Sequence, residues 1–324
     1  MQDALVIGGT RFIGRHLVRE LLAHEYSLTL FNRGRHENPF AGNDRVGQFT
    51  GDRTSDAALT EAREAVDPDI VIDCVAYHPG EVQMATRVFE DVTAYVFVSS
   101  GSAYGAEEIP KREDETPLAS CTNEQAIDNG PETYGNRKAE SDRAVFEAAA
   151  AGGNAMSVRP TIVYGPHDYT GRLRYWVNRI REYDRVLVPG DGTNIHHLVG
   201  VESVARAIRT VAEAGTPGEA YNVADRRVLT LQGVLKRIAA AVDRDPQLVY
   251  ANPRALEQHG VDPTVFPLYN PQPHILTTEK LFELGWEPVA PDAAITEAAT
   301  AGYEPDRNPG PDRSKTAALI EDRA

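Results

Sequence analysis

Ala4-Leu5-Val6-Ile7-Gly8-Gly9-Thr10-Arg11-Phe12-Ile13-Gly14 is the stretch on which the fold turns. Four apolar residues of strand character run into glycines, and His16-Leu17-Val18-Arg19-Glu20-Leu21-Leu22 follows with helical spacing. A strand that turns through glycine into a helix N-terminus presents backbone N–H groups and the positive end of a helix dipole. A diphosphate needs both. Gly8 permits the tight turn, and Gly14 lets the helix lie close to the strand. In the spelling G-x-x-G-x-x-G the middle glycine is replaced by Arg11. The bland alternative is a strand–helix turn that binds nothing. The strand before and the amphipathic helix after favour a dinucleotide site.

Outward from that turn, apolar runs at 4–7, 27–31, 70–75, 95–99 and 155–159 alternate with helical patterns at 12–23, 55–66, 80–90 and 132–152. Near-continuous apolar strands between helices predict a parallel sheet wound on both faces. Ser55 is placed to cap one helix and Asp67-Pro68 to end it. Residues 111–131 read as a polar surface loop. After Pro160 the alternation loosens into short elements, which predicts a smaller, less regular second lobe. No internal repeat is visible.

The 324 residues carry a formal charge of −15. That balance argues against nucleic acid as a main partner, since a phosphate backbone calls for a basic face. Lysine is scarce, five against 28 arginines. Strong acidity with few lysines is the pattern of halophile-like proteins, whose surface repulsion is screened by salt. Cys74 and Cys121 have neither metal-ligand nor disulfide-framework spacing, and no His/Cys/Asp/Glu spacing points to a metal. The N-terminal stretch has no charged leader followed by an apolar run, and no stretch has membrane-spanning length, so a cytoplasmic location without membrane contact is expected.

Candidate chemistry lies at one strand end and on one helix. Val96-Phe97-Val98-Ser99-Ser100-Gly101-Ser102-Ala103-Tyr104-Gly105 is a strand ending in hydroxyls, where open α/β sheets place ligands. Tyr134-Gly135-Asn136-Arg137-Lys138 puts a phenol and an ammonium one turn apart on one helix face. An ammonium beside a phenol favours the phenolate and makes it a usable acid or base near neutral pH. Ser100 is placed to bond the same substrate oxygen. Taken singly, each motif is more often a solvated face or a turn.

Their order, with Arg159-Pro160-Thr161-Ile162-Val163-Tyr164-Gly165-Pro166, Gly190-Asp191-Gly192-Thr193, Tyr221-Asn222-Val223 and Leu284-Gly285-Trp286, resembles the extended short-chain dehydrogenase/reductases, the NAD-dependent epimerase/dehydratase group. The likeness covers about residues 3–290. It implies a Rossmann-type doubly wound parallel sheet with a smaller C-terminal substrate-binding lobe. The dinucleotide domain would span 1–165 with a returning segment at about 195–225. The lobe would span 166–194 and 226–300. By its Asp, Arg, Asn and Pro composition, 303–324 reads as a mobile tail. The likeness also implies catalysis by Ser100, Tyr134 and Lys138. Cofactor contacts would come from Gly8, Thr10, Arg11, Phe12, Ile13, Gly14, Asn32, Arg33, Arg35, Asp52, Ala76, Ser99, Pro160 and Thr161. Weaker substrate contacts are expected at His78, Ser102, His167, Arg172, Arg174 and His197. The substrate implied is a nucleotide sugar and the assembly a homodimer.

Two departures refine this. The second strand ends Leu30-Phe31-Asn32-Arg33-Gly34-Arg35, without the carboxylate that holds an NAD ribose, so NADP is favoured over NAD. Gly-Gly-Thr-Arg-Phe-Ile-Gly resembles an atypical branch that includes chloroplast RNA-binding relatives, several of which lack the tyrosine that this chain keeps as Tyr134. An acidic pair expected of a dehydratase is replaced by Gly101 and Ser102. The reading is therefore an NAD(P)-dependent epimerase. The alternatives are an NADPH-dependent ketone, aldehyde or keto-sugar reductase, and a non-enzymatic cofactor-binding or RNA-associated protein.

Overall fold

In chain order the first elements are β1 (Asp3–Ile7), α1 (Phe12–Ala23), β2 (Ser27–Asn32), β3 (Val46–Thr50), α2 (Asp56–Val66), β4 (Ile70–Asp73), α3 (Pro79–Val88), β5 (Ala94–Val98), α4 (Asn123–Ile127), α5 (Tyr134–Ala150) and β6 (Ala155–Pro160). This is a computed structural model, and it describes residues 2–321. Next come β7 (Ile162–Tyr164), α6 (Arg172–Glu182), β8 (Arg185–Pro189), β9 (Ile195–His196), β10 (Leu198–Gly200), α7 (Val201–Ala214) and β11 (Ala220–Val223). The last are β12 (Leu229–Thr230), α8 (Leu231–Ala241), β13 (Gln247–Ala251), α9 (Pro253–Gln258), α10 (Glu279–Glu283), α11 (Pro291–Thr300) and α12 (Arg313–Glu321).

The chain divides into two units. The first runs up to Thr161 and adds Glu202–Ala224 and Leu276–Pro288. The second holds Ile162–Val201, Asp225–Ile275 and the chain from Val289. The return of Leu276–Pro288 to the first unit differs from the reading that gave 226–300 wholly to the lobe. Trp286 accounts for the difference: it is 1% exposed and its indole N–H donates to Ser203 O at 3.0 Å.

The first unit is built on a seven-stranded sheet in the order β11-β6-β5-β4-β1-β2-β3. All its pairings are parallel. β4 and β5 are buried along their whole length, which is why they read as unbroken apolar runs. The chain moves outward from β1 to β3, returns to β4, and then moves the other way. Order therefore reverses between β1 and β4, the switch point at whose carboxyl ends open α/β sheets place ligands. Leu5, Ile7, Phe31, Val71, Tyr95 and Phe97 fill one face of this sheet. Ser55 caps α2, its hydroxyl accepting from Ala58 N–H, and Asp67 ends the helix in the left-handed region at φ 46°.

β3, Val-Gly-Gln-Phe-Thr, has no counterpart in the sequence reading. It is an edge strand with no fully buried residue, so it lacks the apolar signal. Among the described residues the second unit has two-stranded ladders: β7 with β10 and β8 with β13 are parallel, and β9 with β12 is antiparallel. Its core gathers Trp176, Leu187, Leu235, Ile295 and Ile320. The stretch 303–324, expected as a mobile tail, is helical over part of its described residues. α12 lies within it, and Leu319 and Ile320 are 1% and 2% exposed. The Asp/Arg/Pro composition concealed two apolar anchors; residues 322–324 lie outside the described part.

Candidate active site

The cofactor expectation concerns the ends of β1 to β6. After β1, Gly8 and Gly9 adopt φ 115° and 90°, where a side chain is strained. A Cβ on Gly14 would lie 2.6 Å from Gly9 N, so only glycine lets α1 start this close to the turn. Arg11 stands at the N-cap of α1 in an extended conformation and gives no side-chain cap. Thr10 lies in the turn, and Phe12, Ile13 and Gly14 form the first helical turn. After β2, Asn32 Oδ1 accepts from Gly34 N–H at 2.9 Å, and Asn32 Nδ2 is buried without a partner among the described residues. Arg33 and Arg35 are exposed. They help to hold the Asp52 carboxyl below its usual range, behind the larger effect of hydrogen bonds from Thr54 N–H and Oγ1.

The catalytic expectation concerns the end of β5 and the start of α5. Ser99 Oγ is buried without a partner among the described residues. Ser100 Oγ accepts from Ser102 N–H at 3.1 Å, closing a 3₁₀ turn, Gly101–Ala103. A Cβ on Gly135 would sit 2.4 Å from Ser102 O, so Gly135 allows α5 to press its first turn against that strand-end turn. Tyr134 is the first residue of α5 and Lys138 follows one turn later. Lys138 Nζ donates to Ala76 O and to Val98 O, both at 2.9 Å. It lies 4.5 Å from the Phe97 ring centre, 5.5 Å from that of Tyr77 and 5.8 Å from that of Tyr134. The lysine is 4% exposed. Burial pulls its pKa down to about 8, against the opposing pull of Tyr77, Asp73, Asp142 and Glu81. Pro160 ends β6, and Thr161 N–H donates to Val223 O at 3.0 Å.

Sequence reasoning missed the residues that hold the segment after β4. Asp73 Oδ1 accepts from Val75 N–H at 3.1 Å and Ala76 N–H at 3.0 Å. Its other oxygen accepts from the Arg53 guanidinium and, at 3.2 Å, from Tyr95 OH. Glu81 Oε2 accepts from Tyr77 N–H at 2.8 Å and His78 N–H at 3.2 Å. Arg53 also lies 3.7 Å from Glu81. The signal was there: Asp73 is a lone carboxylate within an apolar run, and a buried charge demands a partner.

The weaker substrate set divides. In the first unit, Ser102 is exposed beside Ser100, and His78 uses its ring nitrogens on Ala126 O at 3.1 Å and Asn129 Oδ1 at 3.2 Å. His78 thus anchors the segment around α4. His167, Arg172, Arg174 and His197 belong to the second unit. There Arg174 donates to Ala301 O at 3.1 Å, and His197 Nε2 lies 2.7 Å from Asp225 O. The His167 ring lies 6.0 Å from that of Tyr303, and Arg172 opens α6, exposed. Among the described residues there is no cluster of three His, Cys, Asp or Glu able to hold a metal. None of their helices is long and apolar enough to cross a membrane.

Three likenesses accompany this geometry. The chain is 26% identical over 332 residues to the chloroplast stem-loop binding protein of 41 kDa b of Arabidopsis thaliana, covering 98% of this chain and 82% of that protein. It superposes on dTDP-glucose 4,6-dehydratase of Bacillus anthracis, solved in complex with NAD, with TM-score 0.74, 20% identity and coverage of 92% and 96%. UDP-glucose 4-epimerase of Thermotoga maritima, solved with UDP-glucose, gives TM-score 0.72, 21% identity and coverage of 92% and 97%. At these structural identities the likeness is one of fold. The family model described as NAD dependent epimerase/dehydratase family matches residues 4–224. The strand-order reversal, the glycine turn and the Tyr134–Lys138 helix lie within that match, and the chain belongs to the NAD-dependent epimerase/dehydratase family.

Proposed function

We propose that this protein is an NAD(P)-dependent epimerase of nucleotide sugars, with Tyr134 as its acid/base. The observation that carries the reading is the pair on α5: Tyr134 beside a Lys138 ammonium buried at the end of β5. The residues present fit a dinucleotide. Any Cβ on Gly14 would fill the close approach at the turn, and Asn32 Nδ2 and Ser99 Oγ are buried polar atoms still wanting partners. Gly8 to Gly14 would hold the diphosphate, Asn32, Arg33, Arg35 and Asp52 the adenosine end, and Ala76, Ser99, Pro160, Thr161 and Lys138 the nicotinamide end. When bound, the nicotinamide supplies reversible hydride uptake.

Tyr134 takes the proton of a substrate hydroxyl and returns it to the same oxygen. The buried ammonium lowers the cost of the phenolate that this requires. Ser100, on the turn that α5 presses against, donates to the substrate oxygen. Gly101 and Ser102 offer no acid or base for elimination, which favours epimerisation over dehydration. Arg11, Arg33 and Arg35, with no carboxylate at the end of β2, favour NADP. Dissociation constants measured for both cofactors check that preference, and equal or tighter NAD binding refutes it. A net charge of −15 opposes a nucleic-acid-binding role by analogy with the chloroplast stem-loop binding protein.

The test is Tyr134→Phe against a panel of nucleotide sugars. Turnover should fall by about 10²–10⁴-fold with cofactor affinity retained. Unchanged turnover in the variant, or none in the wild type, refutes the reading. Turnover without added nicotinamide marks an epimerase; a strict need for added NADPH marks a reductase instead.

A further inference from the structure

Four successive backbone N–H groups, those of Val75, Ala76, Tyr77 and His78, are each taken by a carboxylate. Asp73 accepts the first two and Glu81 the second two, and Arg53 lies against both carboxylates. A segment held at every amide has little freedom to move the side chain it presents. That side chain is Tyr77, which is 46% exposed. A large aromatic left in solvent on so rigid a mount does not serve core packing. Its ring centre lies 6.3 Å from that of Tyr134, the planes at 53°, and 5.5 Å from Lys138 Nζ. The Lys138 ammonium has Ala76 O, Val98 O and the Phe97 ring on its other sides.

We propose that Tyr77 is a positioning residue for the Tyr134–Lys138 pair: its ring closes an aromatic enclosure over the ammonium, keeps water from it and holds it beside Tyr134. This rests on the reading of Tyr134 as acid/base given above. The titratable groups facing the ammonium are Asp73, Cys74 and Tyr77 at and after β4, Glu81 on α3, and Tyr134 and Asp142 on α5. All except Tyr77 stay in place when the Tyr77 ring is removed, and a variant that loses only the Tyr77 hydroxyl separates the lost cover from the lost charge. Water reaching the ammonium restores the solvation that burial took away and moves its titration upward.

The experiment reads Lys138 directly and needs neither substrate nor cofactor. The chain has five lysines, few enough to resolve by NMR of protein labelled at lysine Cε, with Lys138→Met assigning the signal. Tyr77→Phe, which keeps the ring and loses only the hydroxyl whose charge pulls the ammonium's titration upward, should leave the Lys138 midpoint at or below that of wild type. Tyr77→Ala, which loses the ring as well as the hydroxyl, should place the Lys138 midpoint about one pH unit above that of Tyr77→Phe. Should Tyr77→Ala fail to fold, Tyr77→Leu gives a smaller rise above Tyr77→Phe. A midpoint in the folded Ala or Leu variant no higher than that of Tyr77→Phe overturns the proposal. Failure of the parent reading looks different: Tyr134→Phe keeps its turnover while the Lys138 titration still answers to Tyr77.

Discussion

At the scale of single residues, Asp73 does the most with one side chain. Its two oxygens take two amides, a phenol and a guanidinium, and it is fully buried. Arg53 is itself only 8% exposed. Asp73→Asn can keep the two amide bonds through its carbonyl oxygen, so its cost isolates the charge. Leaving Arg53 buried opposite a neutral amide should destabilise the fold by about 3–5 kcal/mol, read as a lower urea midpoint. A loss below about 1 kcal/mol would show that water or Glu81 compensates. Tyr134, Lys138 and Ser100 stand out in the sequence as candidates through their order and their resemblance to the family's motifs. Arg53, Glu81 and Tyr77 do not, since their meaning comes from partners on other elements: Arg53 lies 20 residues from Asp73.

At the scale of elements, α1 spans Phe12–Ala23 as its apolar periodicity predicts, because burial on one face and helical pitch agree along its length. Its placement depends on Gly14. Gly14→Ala sets a methyl 2.6 Å from a backbone nitrogen that has no flexible end to move aside. The turn must shift at a cost in melting temperature, and the cofactor affinity of the folded variant should fall at least about tenfold, measured by titration calorimetry. Equal affinity would show that the turn is not the diphosphate cradle. In the second unit the ends of β7 and β10 meet at Asp225, which accepts from Tyr164 OH at 3.1 Å and Gly200 N–H at 3.3 Å. Burial raises its pKa to about 7 from an ordinary value near 4. Between those values the folded chain holds a proton that the unfolded chain has released. The stability this gives is present at low pH and lost as pH rises through about 7. Asp225→Asn removes that loss. Its melting temperature should match wild type near pH 4 and exceed it at pH 8, by an amount equivalent to about 2–4 kcal/mol. A difference that does not change with pH would refute the assignment.

At the scale of the whole molecule, 48 acidic residues against 33 lysines and arginines create repulsion that only salt can screen. The denaturation midpoint should rise from millimolar to molar potassium chloride; a flat response removes the halophile-like reading. The class of fold, the glycine turn and the phenol–ammonium helix were determined by the sequence alone, because strand and helix periods and i,i+4 spacing are local properties of the chain. Several features were decided only in three dimensions: the polar edge strand β3, the burial of Leu319 and Ile320 beneath a composition typical of loops, the clamp of Asp73, Glu81 and Arg53, and the cover that Tyr77 places over Lys138. Each depends on partners distant along the chain, and desolvation exists only once those partners have closed around a side chain.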